Sequence, residues 1–145
     1  MHDDDLAAMA AYLKDLPPMM EQEALVLPSA STMEAGRAQF RKHCQDCHNY
    51  DGTGVPRRYP TLTGSATVQA RDPTTIVRII LEGQEPPVIS ARPDDEPMPA
   101  FAKKMMDGEI ADVATYMRNA WGNRAPAVSI QQVKDLREKL AAENP

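Results

Sequence analysis

Apolar residues recur at three- and four-residue intervals in several separate stretches of the chain, the spacing at which side chains share one face of an α-helix. Asp3 to Leu16 carries Leu6, Met9, Ala10, Leu13 and Leu16 on one face and is stopped by Pro17-Pro18. Ser31-Thr32-Met33-Glu34 has the form of a capping box opening a helix to His43. Along it Gly36, Phe40 and Cys44 recur every four residues, and a glycine on that face lets a second helix approach closely. Asp72-Pro73 as cap and first-turn proline, with Gly83 as the stop, predict a helix over Thr74 to Glu82 whose Ile76, Ile79 and Ile80 face the core. Asp107 is placed to cap a helix from Gly108 to Trp121, ended by Gly122, with Ile110, Val113, Tyr116 and Met117 inward. Tyr116 is expected beside Gly36 and Phe40, and Trp121 half-buried. Ser129-Ile130-Gln131-Gln132 repeats the capping-box pattern ahead of a last helix with Ile130, Val133, Leu136 and Leu140 on one stripe. That helix is either a lid on the same domain or a docking element for a partner subunit, the lid being the simpler role. No run alternates or clusters as buried strands do, so the chain reads as all-α.

The connections are long and stiff. Pro17 to Ala30 reads as an extended linker with an apolar patch at Ala24-Leu25-Val26-Leu27. Asn49 to Pro56 is turn-rich, and Glu85 to Pro97 cannot be regular structure with Pro86, Pro87, Pro93 and Pro97 in it. A length of 145 residues bounds the chain to one domain with appendages. Only 5% of the residues are aromatic, so the protein alone brings few large groups to a core, and a buried apolar cofactor would supply the missing surface. A net charge of −5 without a basic stripe gives no reason to expect nucleic acid. No apolar run approaches the roughly 18 residues of a membrane span.

Chemistry concentrates at Cys44-Gln45-Asp46-Cys47-His48. A thioredoxin-like pair would need a βαβ setting, and a zinc site about four ligands where the chain offers these three with His43 and His2. A plain disulfide explains the histidine no better. Two thiols three apart followed at once by an imidazole fit covalent haem attachment: the thiols add to the two vinyl groups on one edge of the macrocycle, and His48 is left aimed at the iron. Attachment of that kind operates outside the cytoplasm, so an exported, periplasmic location is expected, with an export signal removed.

The remaining candidates follow from what such a group needs. A metal-bound imidazole donates its other N–H to a carbonyl or carboxylate, and the stiff Arg57-Arg58-Tyr59-Pro60-Thr61-Leu62 loop is a place to hold one. Pro60 is the expected acceptor, Leu62 and Phe40 pack against the haem, and Arg57, Arg58 and Tyr59 are candidates for its propionates. Met98 lies between Pro97 and Pro99, where the backbone is stiff and cannot be helical, which suits presentation of a thioether as sixth ligand. Met105 and Met106 are its rivals. The other methionines read as packing.

Taken in order, Gly36, Phe40, Cys44-Gln45-Asp46-Cys47-His48, Tyr59-Pro60-Thr61-Leu62, Pro97-Met98-Pro99-Ala100-Phe101 and Ile110 to Trp121 resemble a class I cytochrome c domain over roughly Met33 to Asn123. Trp121-Gly122-Asn123 and the helix after it look like the third haem domain of the triheme cytochrome subunits of membrane-bound bacterial alcohol, gluconate and glucose dehydrogenases. Asp5 to Lys14 also aligns without gaps against Glu109 to Arg118, with apolar, acidic, aromatic and basic positions mostly matched. The resemblance implies three segments. Residues 1–30 would be the last helix of a preceding haem domain plus linker, 31–126 the cytochrome c domain with one covalent haem c, and 127–145 an appended helix.

It further implies a non-enzymatic electron relay, reduced by a dehydrogenase catalytic subunit and passing electrons through other haem domains toward ubiquinone. The parent complex would be membrane-associated and this piece soluble. Two alternatives stay open: a haem protein with a vacant iron position, as in a peroxidase or gas sensor, and a haem-stabilised docking module. The stripe of Leu6, Met9, Leu13 and Leu16 is expected to fold back on the domain or to pair between molecules.

Overall fold

A computed structural model describes residues 2–15, 27–85 and 96–143. Among the described residues there are seven helices: α1 (Asp3–Asp15), α2 (Ala30–His43), α3 (Gln45–His48), α4 (Ala66–Gln69), α5 (Thr74–Glu82), α6 (Asp107–Asn119) and α7 (Ile130–Glu143). Among the described residues β-pairing is limited to two isolated bridges, Val55 with Tyr59 and Gln84 with Met98. No described helix is long and apolar enough to cross a membrane. Leu16, the linker over 17–26 and the loop over 86–95 lie outside the described residues.

The centre of the fold is the crossing of α2 on α6. A Cβ at Gly36 would overlap the Asp112 carbonyl oxygen and lie 2.6 Å from Tyr116 Cβ, so only glycine allows the two backbones this close. Phe40 then reaches the far side of the crossing, with ring centroids 5.6 Å from Tyr116 and 4.9 Å from Trp121. Edge-to-face aromatic geometry of this kind adds to what area burial alone supplies. Trp121 is outside the helix the sequence predicts for it: α6 ends at Asn119, and Trp121 takes a left-handed backbone at φ 54°. There its indole N–H donates to the Tyr50 carbonyl at 3.2 Å.

α5 buries Ile76, Val77, Ile80 and Leu81. Its apolar face is centred between the 76/80 and 77/81 pairs, so Ile79 falls at the rim, half-buried. Asp72 accepts from the Thr74 N–H at 2.8 Å, doing the capping work from just outside the helix. α2 starts earlier than expected because Ser29, not Ser31, accepts the Thr32 N–H, at 3.1 Å. At α6 the capping oxygen comes from Glu109, which accepts the Met106 N–H at 2.8 Å, while Asp107 is turned to a different partner.

α6 is buried on almost every side, including two polar residues the sequence reading does not single out. Thr115 Oγ1 accepts the Val128 N–H at 2.9 Å. Arg118 is fully enclosed and donates to the carbonyls of Pro126 and Val68, both at 2.9 Å, and of Arg71 at 3.4 Å. Burial lowers its pKa, an effect Asp72 opposes. One guanidinium fork thus ties a carbonyl of α4 and two loop carbonyls to the central helix.

α7 lies across α5 and α6 through Val133, Leu140 and the half-buried Leu136, so it is a lid on its own chain. Ile130 is the exception on the predicted stripe and stays exposed at the start of the helix. Ser129 and Gln132 cap it reciprocally, at 2.8 and 3.2 Å. α1 packs on none of the other helices and buries no residue, so the expected fold-back of Leu6, Met9 and Leu13 is not seen.

Candidate functional site

α2 ends where the thiol pair begins. Cys44 leaves helical geometry at φ −123°, its N–H still bonded to the Phe40 carbonyl at 2.9 Å, and the next four residues wind into the single turn α3. The His48 N–H donates back to the Cys44 carbonyl at 3.0 Å, so the motif is one closed turn. Both cysteines are free and half-buried. Burial, helped by the neighbouring Cys47, pushes the Cys44 thiol up to about 12.

His48 is almost wholly enclosed, and its Nδ1 lies 3.0 Å from the Pro60 carbonyl oxygen. Burial lowers the imidazole pKa, and the bond to Pro60 works against that shift. A neutral ring that donates from Nδ1 to a carbonyl keeps the lone pair on Nε2 free, and no described residue bonds that atom. The carbonyl is held by a small framework. Asn49 Nδ2 donates to the Gly54 carbonyl at 2.6 Å, the Gly54 N–H to the His48 carbonyl at 3.0 Å, and Val55 and Tyr59 exchange two bonds of 2.9 Å. Farther along, the Leu62 N–H meets the Gly52 carbonyl at 2.7 Å, and buried Asn123 donates to the carbonyls of Leu62 and Met117 at 2.9 and 2.8 Å. In the sequence Asn123 figures only in the Trp121-Gly122-Asn123 ending, which does not announce these bonds.

Met98 sits on a strap of extended chain laid against the end of α5. Its backbone exchanges bonds of 3.0 and 2.9 Å with Gln84, and the Phe101 and Ala102 N–H groups donate to the Ile80 and Leu81 carbonyls at 3.0 and 3.1 Å. Gly83, at φ 76°, is what allows the strap to lie so close: a Cβ there would overlap the Met98 carbonyl oxygen and stand 2.9 Å from Ala100 N. Met98 and Leu62 are both partly buried against the core cluster that contains Phe40, as is Cys44. Of the rival methionines, Met105 is buried within that core and Met106 is exposed.

Arg58 and Tyr59 meet at Glu96. Arg58 pairs with one carboxylate oxygen at 3.2 Å, and the Tyr59 hydroxyl donates to the other at 2.7 Å, with the guanidinium stacked 5.0 Å over the phenol ring. Donation to Glu96 is the main reason the Tyr59 phenol is pushed up to about 12. This links the loop behind His48 to the strap bearing Met98, and it shows that Arg58 and Tyr59 can together hold a carboxylate. Arg57 is exposed.

The donor set fits a covalently attached haem: two adjacent thiols, an enclosed imidazole with a free Nε2, a thioether on a stiff strap, and an apolar lining from Phe40 and Leu62. Among the described residues no three His, Cys, Asp or Glu side chains converge as a metal cage.

Comparison with known proteins agrees with this chemistry. The family model described as cytochrome c matches residues 33–121. The cytochrome c subunit of alcohol dehydrogenase (quinone) from Gluconobacter oxydans (strain 621H) is 37% identical over 145 residues, covering 93% of this chain and 30% of that protein. The gluconate 2-dehydrogenase cytochrome c subunit of Pantoea cypripedii is 30% identical over 149 residues, 95% of this chain and 34% of that protein. The chain thus spans about a third of the length of these curated relatives. Among solved structures, the c-type cytochrome XoxG from Methylobacterium extorquens AM1 matches with a TM-score of 0.47 at 21% identity, over 74% of this chain and 66% of that one.

Proposed function

The chain belongs to the cytochrome c family and is an electron carrier, and on that premise we propose that it holds a single haem c and relays electrons within a dehydrogenase complex. Cys44 and Cys47 would hold the haem through thioethers, His48 Nε2 and Met98 Sδ would hold its iron, Pro60 orients His48, Phe40 and Leu62 would pack on the ring, and Arg58 and Tyr59 would face its carboxylates. When bound, the haem supplies a one-electron couple. The residues supply the rest. A proline carbonyl that fixes the imidazole tautomer strengthens its donation to iron, and a neutral thioether opposite raises the potential relative to two imidazoles. With His48 and Met98 both holding the iron, no position on it would be left for a substrate.

The observation that carries this reading is the 3.0 Å contact between His48 Nδ1 and the Pro60 carbonyl, which leaves the second ring nitrogen free beside the thiol pair. The relatives named as cytochrome c subunits of alcohol and gluconate dehydrogenases favour a catalytic dehydrogenase subunit as electron donor. Other haem domains and then ubiquinone are the acceptors, at the periplasmic face of a membrane. α1 is read as the last helix of a preceding haem domain. Its Asp5 to Lys14 stretch aligns with Glu109 to Arg118 of α6 with residue types mostly matched, and the apolar stripe that α6 buries is left exposed on α1.

Production in a host able to attach haem c, followed by pyridine haemochrome assay and spectra of both oxidation states, tests the ligand set. One thioether-linked haem per chain with a sulfur-to-iron band in the oxidised form is expected. A compact, colourless protein would overturn the proposal, and tight carbon monoxide binding to the reduced form at neutral pH would replace relay with an open-site function.

A further inference from the structure

α7 and the strap that carries Met98 are joined through one side chain. Arg137 donates from Nε to Asp107 Oδ1 at 2.6 Å, from Nη1 to the Ala102 carbonyl and from Nη2 to the Met105 carbonyl at 3.0 Å. Arg137 and Asp107 are each only 27% exposed, so the pair is partly shielded from water and from salt. The strap is therefore held at Glu96 by Arg58 and Tyr59, at Met98 by the Gln84 bridge, at Phe101 and Ala102 by α5, and at its far end by α7. Of the hydrogen-bonded holds from Met98 onward, only the last runs through a side chain, and α7 lies beyond the residues matched by the cytochrome c family model.

Arg137 is not needed merely to seat α7, which already packs through Val133, Leu136 and Leu140. Its two carbonyl partners belong to the turn leading from the strap into α6. Within that turn the Lys104 and Met105 N–H groups both fold back on the single carbonyl of Phe101, which leaves the carbonyls of Ala102 and Met105 for an outside donor. A planar fork that reaches two carbonyls and a carboxylate at once is the geometry guanidinium provides and ammonium does not.

We propose that Arg137 is a positioning residue for the axial sulfur: by gathering the Ala102 and Met105 carbonyls with the Asp107 carboxylate it shuts the far end of the strap, so that α7 sets how firmly Met98 stays on the iron. The inference rests on the assignment of Met98 as a ligand made above. A thioether leaves its position only when the strap opens. An added ligand competing for that position binds with an apparent affinity scaled by the open fraction. Loss of Arg137 raises that fraction without touching His48, the thiols or Met98.

The test is an imidazole titration of the oxidised, haem-loaded full chain, comparing the native protein with Arg137→Ala, Arg137→Lys and Val133→Ala. Arg137→Ala is expected to bind imidazole about tenfold more tightly, from loss of charge-assisted bonds, and to lose part of its sulfur-to-iron band. Arg137→Lys should fall between, since it keeps the charge facing Asp107 but not the fork. Val133→Ala, which opens a hole under the same helix, should lower thermal stability and leave imidazole affinity unchanged. Equal gains in Val133→Ala and Arg137→Ala, or native affinity with an intact band in Arg137→Ala, would overturn the proposal while leaving the ligand assignment standing. If Arg137→Ala does not accumulate, native affinity in Arg137→Lys overturns it instead. Absence of the sulfur band from the native protein would remove the ligand assignment, and this proposal with it.

Discussion

Gly36→Ala puts one methyl group into the closest contact of the fold. The ideal Cβ position overlaps the Asp112 carbonyl oxygen, with the Asp112 carbonyl carbon at 2.8 Å and Tyr116 Cβ at 2.6 Å. Two of these three atoms are α6 backbone, so no rotamer change relieves the clash and the helices themselves must separate. Separation loosens the interlock of Phe40, Tyr116 and Trp121 that the crossing supports. Overpacking of this kind costs about 1–3 kcal/mol, and a contact against backbone belongs at the upper end. Alanine returns about 1 kcal/mol in helix propensity, so the net loss is about 2 kcal/mol. For a chain of this size that lowers Tm by about 8 °C. Gly108→Ala is the matched control, because the same methyl on α6 meets only Ile130 Cδ1 at 3.8 Å. Helix propensity should then raise its Tm by up to about 4 °C. Thermal melts of the haem-loaded proteins followed by circular dichroism decide the matter. A Gly36→Ala protein melting within about 2 °C of the native one would refute the claim that backbone proximity sets this glycine.

Arg118→Met fills similar volume but leaves the carbonyls of Pro126, Val68 and Arg71 without their donor; a loss of about 3 kcal/mol is expected from urea unfolding midpoints. Asp72 is held below its ordinary pKa by hydrogen bonds from the Thr74 hydroxyl and N–H. A carboxylate lowered in the folded state adds stability above its unfolded pKa and loses it as the pH falls through the folded value. Asp72→Asn should therefore flatten the decline of Tm below about pH 4, as melts across the acid range would show. Glu96→Gln takes the negative charge off the acceptor that keeps the Tyr59 phenol up at about 12; ultraviolet titration should then find Tyr59 ionising closer to the ordinary tyrosine value.

Features carried by periodicity or by turn chemistry were legible in the sequence, and features carried by backbone carbonyls were not. Four-residue spacing put Gly36 and Phe40 on the face that meets Tyr116, and Gly83 marked the end of α5. The Ser29 cap was missed because Ser29 and Ser31 both precede an apolar run, and the geometry of Thr32 chooses between them. Arg118 and Arg137 gave no signal because most of their partners are main-chain oxygens, which no side-chain pattern announces, and the Trp121-Gly122-Asn123 ending does not reveal the carbonyls Asn123 holds. Gly122 as the stop puts Trp121 inside the expected helix, yet its indole N–H reaches Tyr50 from a left-handed residue two positions past the end of α6. α1 shows the converse case: its stripe identifies a helix and says nothing about the surface that covers it.

The pairing of α2 with α6 also has a bearing on the order of events in a newly made chain. Gln39 bonds to Glu109 across 70 positions, so the central crossing closes a long loop and cannot form until α6 has been synthesised. Long-range closures of this type are slow. Cys44 and Cys47 lie at the end of α2, so in an exported chain that has not yet closed this loop the thiols would stay within reach of whatever attaches the haem until α6 docks on the helix they follow.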